Sequence, residues 1–196
     1  MKKFFALLLV ALFGVAPLFA DDADAVADVK LTIVKDLEAA AEGNFAGSLV
    51  FYAPDYLQTA SDGATLNYEQ LKWMTLALDG KHPVEFWLFL YSVKNNGAMP
   101  PREELPRMKR LARTPKYVKL YEETLPELIA RQKAGAKQTL DTLRFVSVRV
   151  DGGKAVAVVE YDCKNENGGA DRTAETFYLR KVNAKWLFFR SVIKDK

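Results

Sequence analysis

One cysteine and one histidine are all that the 196 residues contain of either type. A single thiol, Cys163, excludes an internal disulfide, and its place in a strand-like stretch reads as a small buried apolar residue rather than a reactive group. A single imidazole, His82, leaves no pair for a His-based zinc site. It sits in the turn-like Gly80-Lys81-His82-Pro83, where an exposed loop histidine is the plainer reading than a Ser-His pair. A phosphate-cradling loop is also missing: Gly152-Gly153 and Gly168-Gly169 lie between strand candidates and open no helix. No metal, nucleotide or flavin motif appears, so no cofactor is expected. An excess of one charge is lacking as well, and with it the basis for nucleic-acid binding.

Outside the N-terminus there is no long apolar run. That terminus, MKKFFALLLVALFGVAPLFA, has basic Lys2 and Lys3, an apolar stretch from Phe4 to Val15, and small-residue character near Ala20. The pattern is that of a secretory signal peptide cleaved after Ala20. Gly14 and Pro17 interrupt the run, which falls short of the roughly 20 residues of a membrane span. The expectation is an exported protein, periplasmic or secreted, with residues 1–20 as signal and 21–196 as a single domain. Loss of Lys2 and Lys3 takes 28 basic residues to 26 against 25 acidic, and the net charge from +3 to +1.

Asp22 to Glu42 reads as a helix, with Val26, Val29, Ile33, Leu37 and Ala40 forming one stripe and Gly43 a stop. Asn44 to Tyr52 suggests a second short helix ended by Pro54, and Tyr56 to Ala60 a short strand. Asn67 with Gln70 makes a capping box that opens another helix. Val84 to Val93 is ambiguous, with aromatic and branched content favouring a strand. Thr124 with Glu127 suggests a second capping box and a break between a helix ending before Leu125 and one from Pro126 to about Thr142. Residues 84–142 read as a helical insertion or lid.

The last fifty residues are the most regular. Phe145 to Val150, Lys154 to Lys164, Arg172 to Val182 and Lys185 to Ile193 are four successive strands, a meander. Ala155, Ala157, Val159, Tyr161 and Cys163 alternate with Val156, Val158, Glu160 and Asp162, which makes the Tyr161 side the inner face. The final strand is apolar on both sides: Trp186, Phe188, Arg190 and Val192 against Leu187, Phe189, Ser191 and Ile193. Such a strand is covered twice. The second cover is expected to be the helices of residues 101–142 or a partner subunit.

Three segments together resemble the nuclear transport factor 2-like superfamily, which includes ketosteroid isomerase-like and SnoaL-like proteins. They are Glu38 to Phe45 leading into Phe51-Tyr52-Ala53-Pro54-Asp55-Tyr56, then Ser61-Asp62-Gly63 before the Asn67 helix, then the meander with Val150-Asp151-Gly152-Gly153-Lys154-Ala155 and Lys185-Trp186. The resemblance implies an α+β fold, a curved antiparallel meander sheet wrapped around N-terminal helices into a cone, here with an extra helical insertion. It also implies an apolar cavity, and it makes a homodimer through the outer sheet face an expectation.

Ketosteroid isomerase-like chemistry needs a carboxylate base and hydrogen-bond donors for an oxyanion. Weak catalytic candidates are Asp55 and Tyr52, with no residue matching a catalytic motif closely. Ligand-binding candidates are Tyr52, Tyr56, Trp73, Trp87, Tyr161, Cys163 and Tyr178. The leading expectation is therefore a noncatalytic exported protein that binds a small apolar ligand or a protein partner. The alternatives are an isomerase, dehydratase or cyclase using a cavity carboxylate or tyrosine, and an envelope-associated protein using the basic residues Arg107, Lys109, Arg110 and Arg113.

Overall fold

The computed structural model describes residues 23–95, 98–164 and 169–195. The signal segment and its cut at Ala20 lie outside them, as does most of the Asn165 to Asp171 turn. Among the described residues no helix is long and apolar enough to cross a membrane.

The elements run α1 (Ala23–Glu42), α2 (Phe45–Ser48), a 3-10 turn (Leu49–Phe51), β1 (Tyr52–Thr59), β2 (Thr65–Asn67), α3 (Tyr68–Leu78), α4 (Pro83–Lys94), α5 (Leu105–Ala112), α6 (Pro115–Thr142), β3 (Arg144–Asp151), β4 (Lys154–Lys164), β5 (Ala170–Val182) and β6 (Lys185–Asp195). Six strands form one sheet in the order β2-β1-β6-β5-β4-β3. β3 to β6 are the expected antiparallel meander. β1 joins it parallel to β6, so the sheet is mixed rather than wholly antiparallel. The α+β class stands, with the sheet packed against α1.

Helix α1 supplies the centre of the core. Its stripe buries Val29 and Ile33 against Ala155, Ala157, Leu179, Trp186 and Phe188 of the inner sheet face. Gly43 takes φ +89 after the last turn, the left-handed stop that only glycine adopts without cost. The Asn67–Gln70 capping box forms as read, with both reciprocal hydrogen bonds present.

Four local expectations are corrected. Residues 84–93 are helical: α4 starts on Pro83, whose fixed φ suits a first helical turn. Its lack of alternation reflects a helix packed by α3, α5 and α6 rather than a buried strand. The break at Leu125–Pro126 does not occur, since α6 runs unbroken for 28 residues with Pro126 inside. Thr124 does not cap; its hydroxyl donates back to the Leu120 carbonyl at 2.7 Å. The first strand starts at Tyr52, four residues before the expected Tyr56, and leaves only Phe45–Ser48 and a 3-10 turn as helix. Pro54 falls in its irregular stretch, where the register with β6 shifts between Tyr52 and Leu57.

Cover of β6 is the fourth. The helices of residues 101–142 pack on α1, α3, α4 and β4, so they do not form its outer layer. Within the chain the outer side chains lie over one another, and cover by a partner subunit stays an expectation. Arg180 lies over the Phe189 ring at 5.8 Å and Arg190 over the Tyr178 ring at 5.7 Å.

The β5–β6 turn holds Asn183 at φ 48 and Ala184 at φ 65. Two positive φ angles suit a tight hairpin, but Ala184 pays a Cβ clash that glycine escapes. Ala184→Gly is expected to stabilise the protein by about 0.5–1 kcal/mol in urea denaturation. An unchanged or lower midpoint would refute the strain at this turn.

Candidate functional site

Between α1 and the inner faces of β1, β5 and β6 lies a cluster of hydroxyls and carboxyls inside the apolar core. Asp36 enters it from α1 because it is three residues beyond Ile33 and seven beyond Val29, the buried positions of the stripe. Glu175 enters from β5 because it alternates with Thr173, Phe177 and Leu179, and pairs across the sheet with buried Val159. Neither carboxylate was among the sequence candidates. Their periodic positions on apolar faces were the available signal.

Each carboxyl is held by a tyrosine. Tyr52 donates to Asp36 Oδ2 at 2.7 Å. Tyr161 donates to Glu175 Oε2 at 2.9 Å, and Gln58 Nε2 donates to Glu175 Oε1 at 3.3 Å. The Tyr56 and Ser191 hydroxyls share a hydrogen bond of 3.0 Å. Tyr52 meets Tyr56 edge-on at 4.7 Å between ring centroids, which locks the two phenols together.

Ser191 reaches this cluster through a β-bulge. Leu179 pairs with Phe188 but Tyr178 pairs with Arg190, so Phe189 is the extra residue. Strict alternation places Ser191 on the outer side with Phe189. The bulge instead brings it to the inner face with Phe188, where it is fully buried.

Burial dominates the electrostatics. It pushes the Asp36 carboxyl up to about 7; the Tyr52 hydrogen bond works against this and the nearby Glu175 charge works with it. Burial also raises Glu175, against the hydrogen bonds from Ser191, Tyr161 and Gln58. Tyr52, Tyr56 and Tyr161 are all shifted up, chiefly by burial and then by the neighbouring acids. At neutral pH the phenols therefore keep their protons, and Asp36 lies near the midpoint of its titration. The arrangement can hold a carbonyl or hydroxyl and can move a proton.

Of the residues read from sequence, the structure brings Tyr52, Tyr56 and Tyr161 together. Cys163 is half-buried on β4, two residues beyond Tyr161. Tyr178 is on the opposite face, against Arg190 and Phe189, and stands outside the cluster. Asp55 is also outside it: exposed, in a two-point ion pair with Arg180 at 2.9 and 2.5 Å. Trp73 is half-buried on α3. Trp87 packs in a separate helical cluster with Phe86 and Tyr117, at centroid distances of 5.0 Å to each. Among the described residues no group of three or more metal-ligating side chains occurs.

No known family profile matches the chain, and no curated protein does. Similar solved structures include an NTF-2 like protein of unknown function from Shewanella oneidensis, 13% identical, with 86% of this chain and 98% of that one covered at a TM-score of 0.44. A ketosteroid isomerase-like protein from Erwinia carotovora is 11% identical over 87% and 95%, TM-score 0.43. Aln2 from Streptomyces is 9% identical over 88% and 91%, TM-score 0.43.

Proposed function

We propose that the chain, exported as its first twenty residues predict, binds a small, largely apolar molecule carrying a carbonyl or hydroxyl group. The ligand's polar group sits at Asp36, Tyr52, Tyr56, Tyr161 and Glu175. The observation behind this is the pair of carboxyls withdrawn into the fold, Glu175 buried and Asp36 partly so, each satisfied by a phenol beside the apolar core. Burying such groups costs several kcal/mol unless they are paired, and perturbed clusters of this kind concentrate at functional sites. Tyr52 and Tyr161 give their protons to the two carboxyls, so the donor for a ligand oxygen is Tyr56, whose partner is only the Ser191 hydroxyl, and the rings and aliphatic side chains around it suit an apolar body.

A second reading is favoured by one fact, the Asp36 carboxyl at about 7. A carboxylate with that affinity for protons is matched to general base work at neutral pH. Asp36 would take a proton from the carbon next to a carbonyl, the Tyr56 phenol would hold the resulting enolate oxygen, and Asp36 would return the proton elsewhere on the ligand.

One probe pair tests both readings. 2-Naphthol, a planar hydroxyl-bearing aromatic, is expected to bind saturably, and Tyr56→Phe to weaken it about tenfold, the worth of roughly one hydrogen bond. Equal affinity in wild type and Tyr56→Phe would overturn the binding reading. For the second reading, wild type should convert 3-cyclohexenone to its conjugated isomer, followed by ultraviolet absorbance. Asp36→Asn should lose at least 100-fold in rate while still binding 2-naphthol; an unaffected rate would rule out Asp36 as the base.

A further inference from the structure

Apart from the sheet's polar cluster, α4, α5 and the start of α6 surround a pocket of about 470 Å³. Its size is within the ~300–1,000 Å³ range of small-molecule sites. The wall is apolar: Trp87 and Leu90 from α4, Met108 and Leu111 from α5, and the Tyr117 ring from α6. Met108, Leu111 and Ala112 stand at steps of three and four, so they form the one apolar stripe of an otherwise charged helix. That stripe does not close on α4. Leu111 is 40% exposed and Leu90 is 37% exposed, so both leave hydrocarbon facing an open space.

One cation borders this apolar wall: Lys94, exposed on the last turn of α4, lines the pocket and has no ion-pair partner among the described residues. The wider field has the same sign. Arg107, Lys109 and Arg110 of α5 and Arg113 at its end make no ion pair among the described residues, and Thr114 caps α6 without a side-chain hydrogen bond. Positive charge around a low-dielectric wall draws anions.

We propose that this pocket is a binding site for a single-chain alkyl carboxylate, a free fatty acid of medium length. Its hydrocarbon lies along Trp87, Leu90, Met108 and Leu111, and its carboxylate meets Lys94. The charge and the apolar wall choose this class: an uncharged lipid leaves Lys94 unmatched, and a compact polar anion leaves the hydrocarbon wall wet. This site is separate from the polar cluster, and it gives the basic helix a role in attracting a soluble anion.

The test uses the full chain with sodium decanoate and, as the uncharged counterpart, decan-1-ol. Binding is followed by calorimetry and by tryptophan emission, because Trp87 forms part of the wall. Decanoate is expected to bind saturably at one per chain. Leu111→Glu puts a like charge in the pocket at a position exposed enough to keep the fold, and is expected to weaken decanoate at least tenfold. Lys94→Glu should weaken decanoate about tenfold and decan-1-ol less than twofold. Circular dichroism confirms that both variants are folded. Nonsaturable binding, or unchanged decanoate affinity in either folded variant, overturns the proposal. So does equal weakening of both probes by Lys94→Glu, which removes the carboxylate contact. Loss of decanoate binding in Asp36→Asn with none in Leu111→Glu would place the ligand in the core cluster instead. Adsorption to phosphatidylglycerol vesicles with no binding of free decanoate would assign the basic helix to a membrane surface.

Discussion

Raising the pH from 4 to 8 is expected to withdraw on the order of 4 kcal/mol of folding stability through Asp36 alone. The sign follows from where the proton is held. Folded Asp36 has its pKa raised from the ordinary 3.8 to about 7, mainly by burial. Across that window the folded state keeps a proton that the unfolded chain has released, so stability falls as pH rises. The favourable contribution is whole below about 3.8 and is gone above about 7. Each tenfold gain in proton affinity is worth about 1.4 kcal/mol, so a rise of this size corresponds to roughly 4 kcal/mol. Glu175 is raised in the same direction and adds a loss of the same sign.

Glu175 moves in the same direction, so the informative quantity for Asp36 is a difference. Urea denaturation of wild type and Asp36→Asn should be compared at each pH. The amide keeps an oxygen to accept from Tyr52 but cannot ionise. The variant is expected to gain on wild type by several kcal/mol between pH 4 and pH 8, while the slope from Glu175, common to both proteins, cancels in the difference. Parallel curves for the two proteins would mean that Asp36 ionises in the folded state as easily as in the unfolded one.

Phe188→Ala is expected to cost about 3–5 kcal/mol, the range for removing a fully buried phenyl ring. Phe188 is 1% exposed and lies in the middle of the inner face. Its ring is 5.1 Å from that of Tyr52 and 5.1 Å from that of Phe177. The vacated space therefore borders the phenol that holds Asp36, and 2-naphthol affinity should fall with stability. Phe189→Ala is the control. That ring is half-buried on the outer side, with Arg180 above it, and its removal should cost roughly half as much or less. Equal costs for the two neighbours would contradict the assignment of Phe189 to the bulge and of the two rings to opposite faces.

The parts of the molecule that could be read from the chain are those governed by local rules. Val29 and Ile33 repeat at helical spacing and are buried at 0% and 1%. Ala155, Ala157, Val159 and Tyr161 alternate and face inward. Gly43 stops α1, and Asn67 with Gln70 caps α3. Where local rules conflict, packing decided. Val84 to Val93 has the composition of a strand, yet a helix starting at Pro83 buries Phe86, Leu88 and Ser92. Proline and a threonine capping pattern suggest a break near residue 125, yet α6 continues, with Tyr121 ahead of Pro126 anchored to Ala77 and Phe86 and the helix as a whole packed on α1 and β4.

The candidate site was half legible for the same reason. Tyr52, Tyr56 and Tyr161 stood out as aromatic residues carrying a hydroxyl on strands. Asp36 looked like one more acid on a charged helix, and Glu175 like one more acid in a strand of mixed character. Nothing in their neighbours along the chain distinguishes them from Glu38 or Glu160. What makes them unusual is distance from water, and that depends on which residues fold over them.

The sequence by itself determined the α+β class, the four-strand meander, the inner face of β4 and the start and stop of the helices that frame the core. These follow from periodicity and from the φ preferences of individual residues, which act within a few positions. Only the tertiary structure decided that β1 lies parallel to β6, that a bulge at Phe189 turns Ser191 inward, and that Asp36 and Glu175 share a buried cluster with three tyrosines. Desolvation and register are properties of surfaces brought together from distant parts of the chain, and a carboxylate acquires a pKa near 7 only once the rest of the fold has excluded water from it.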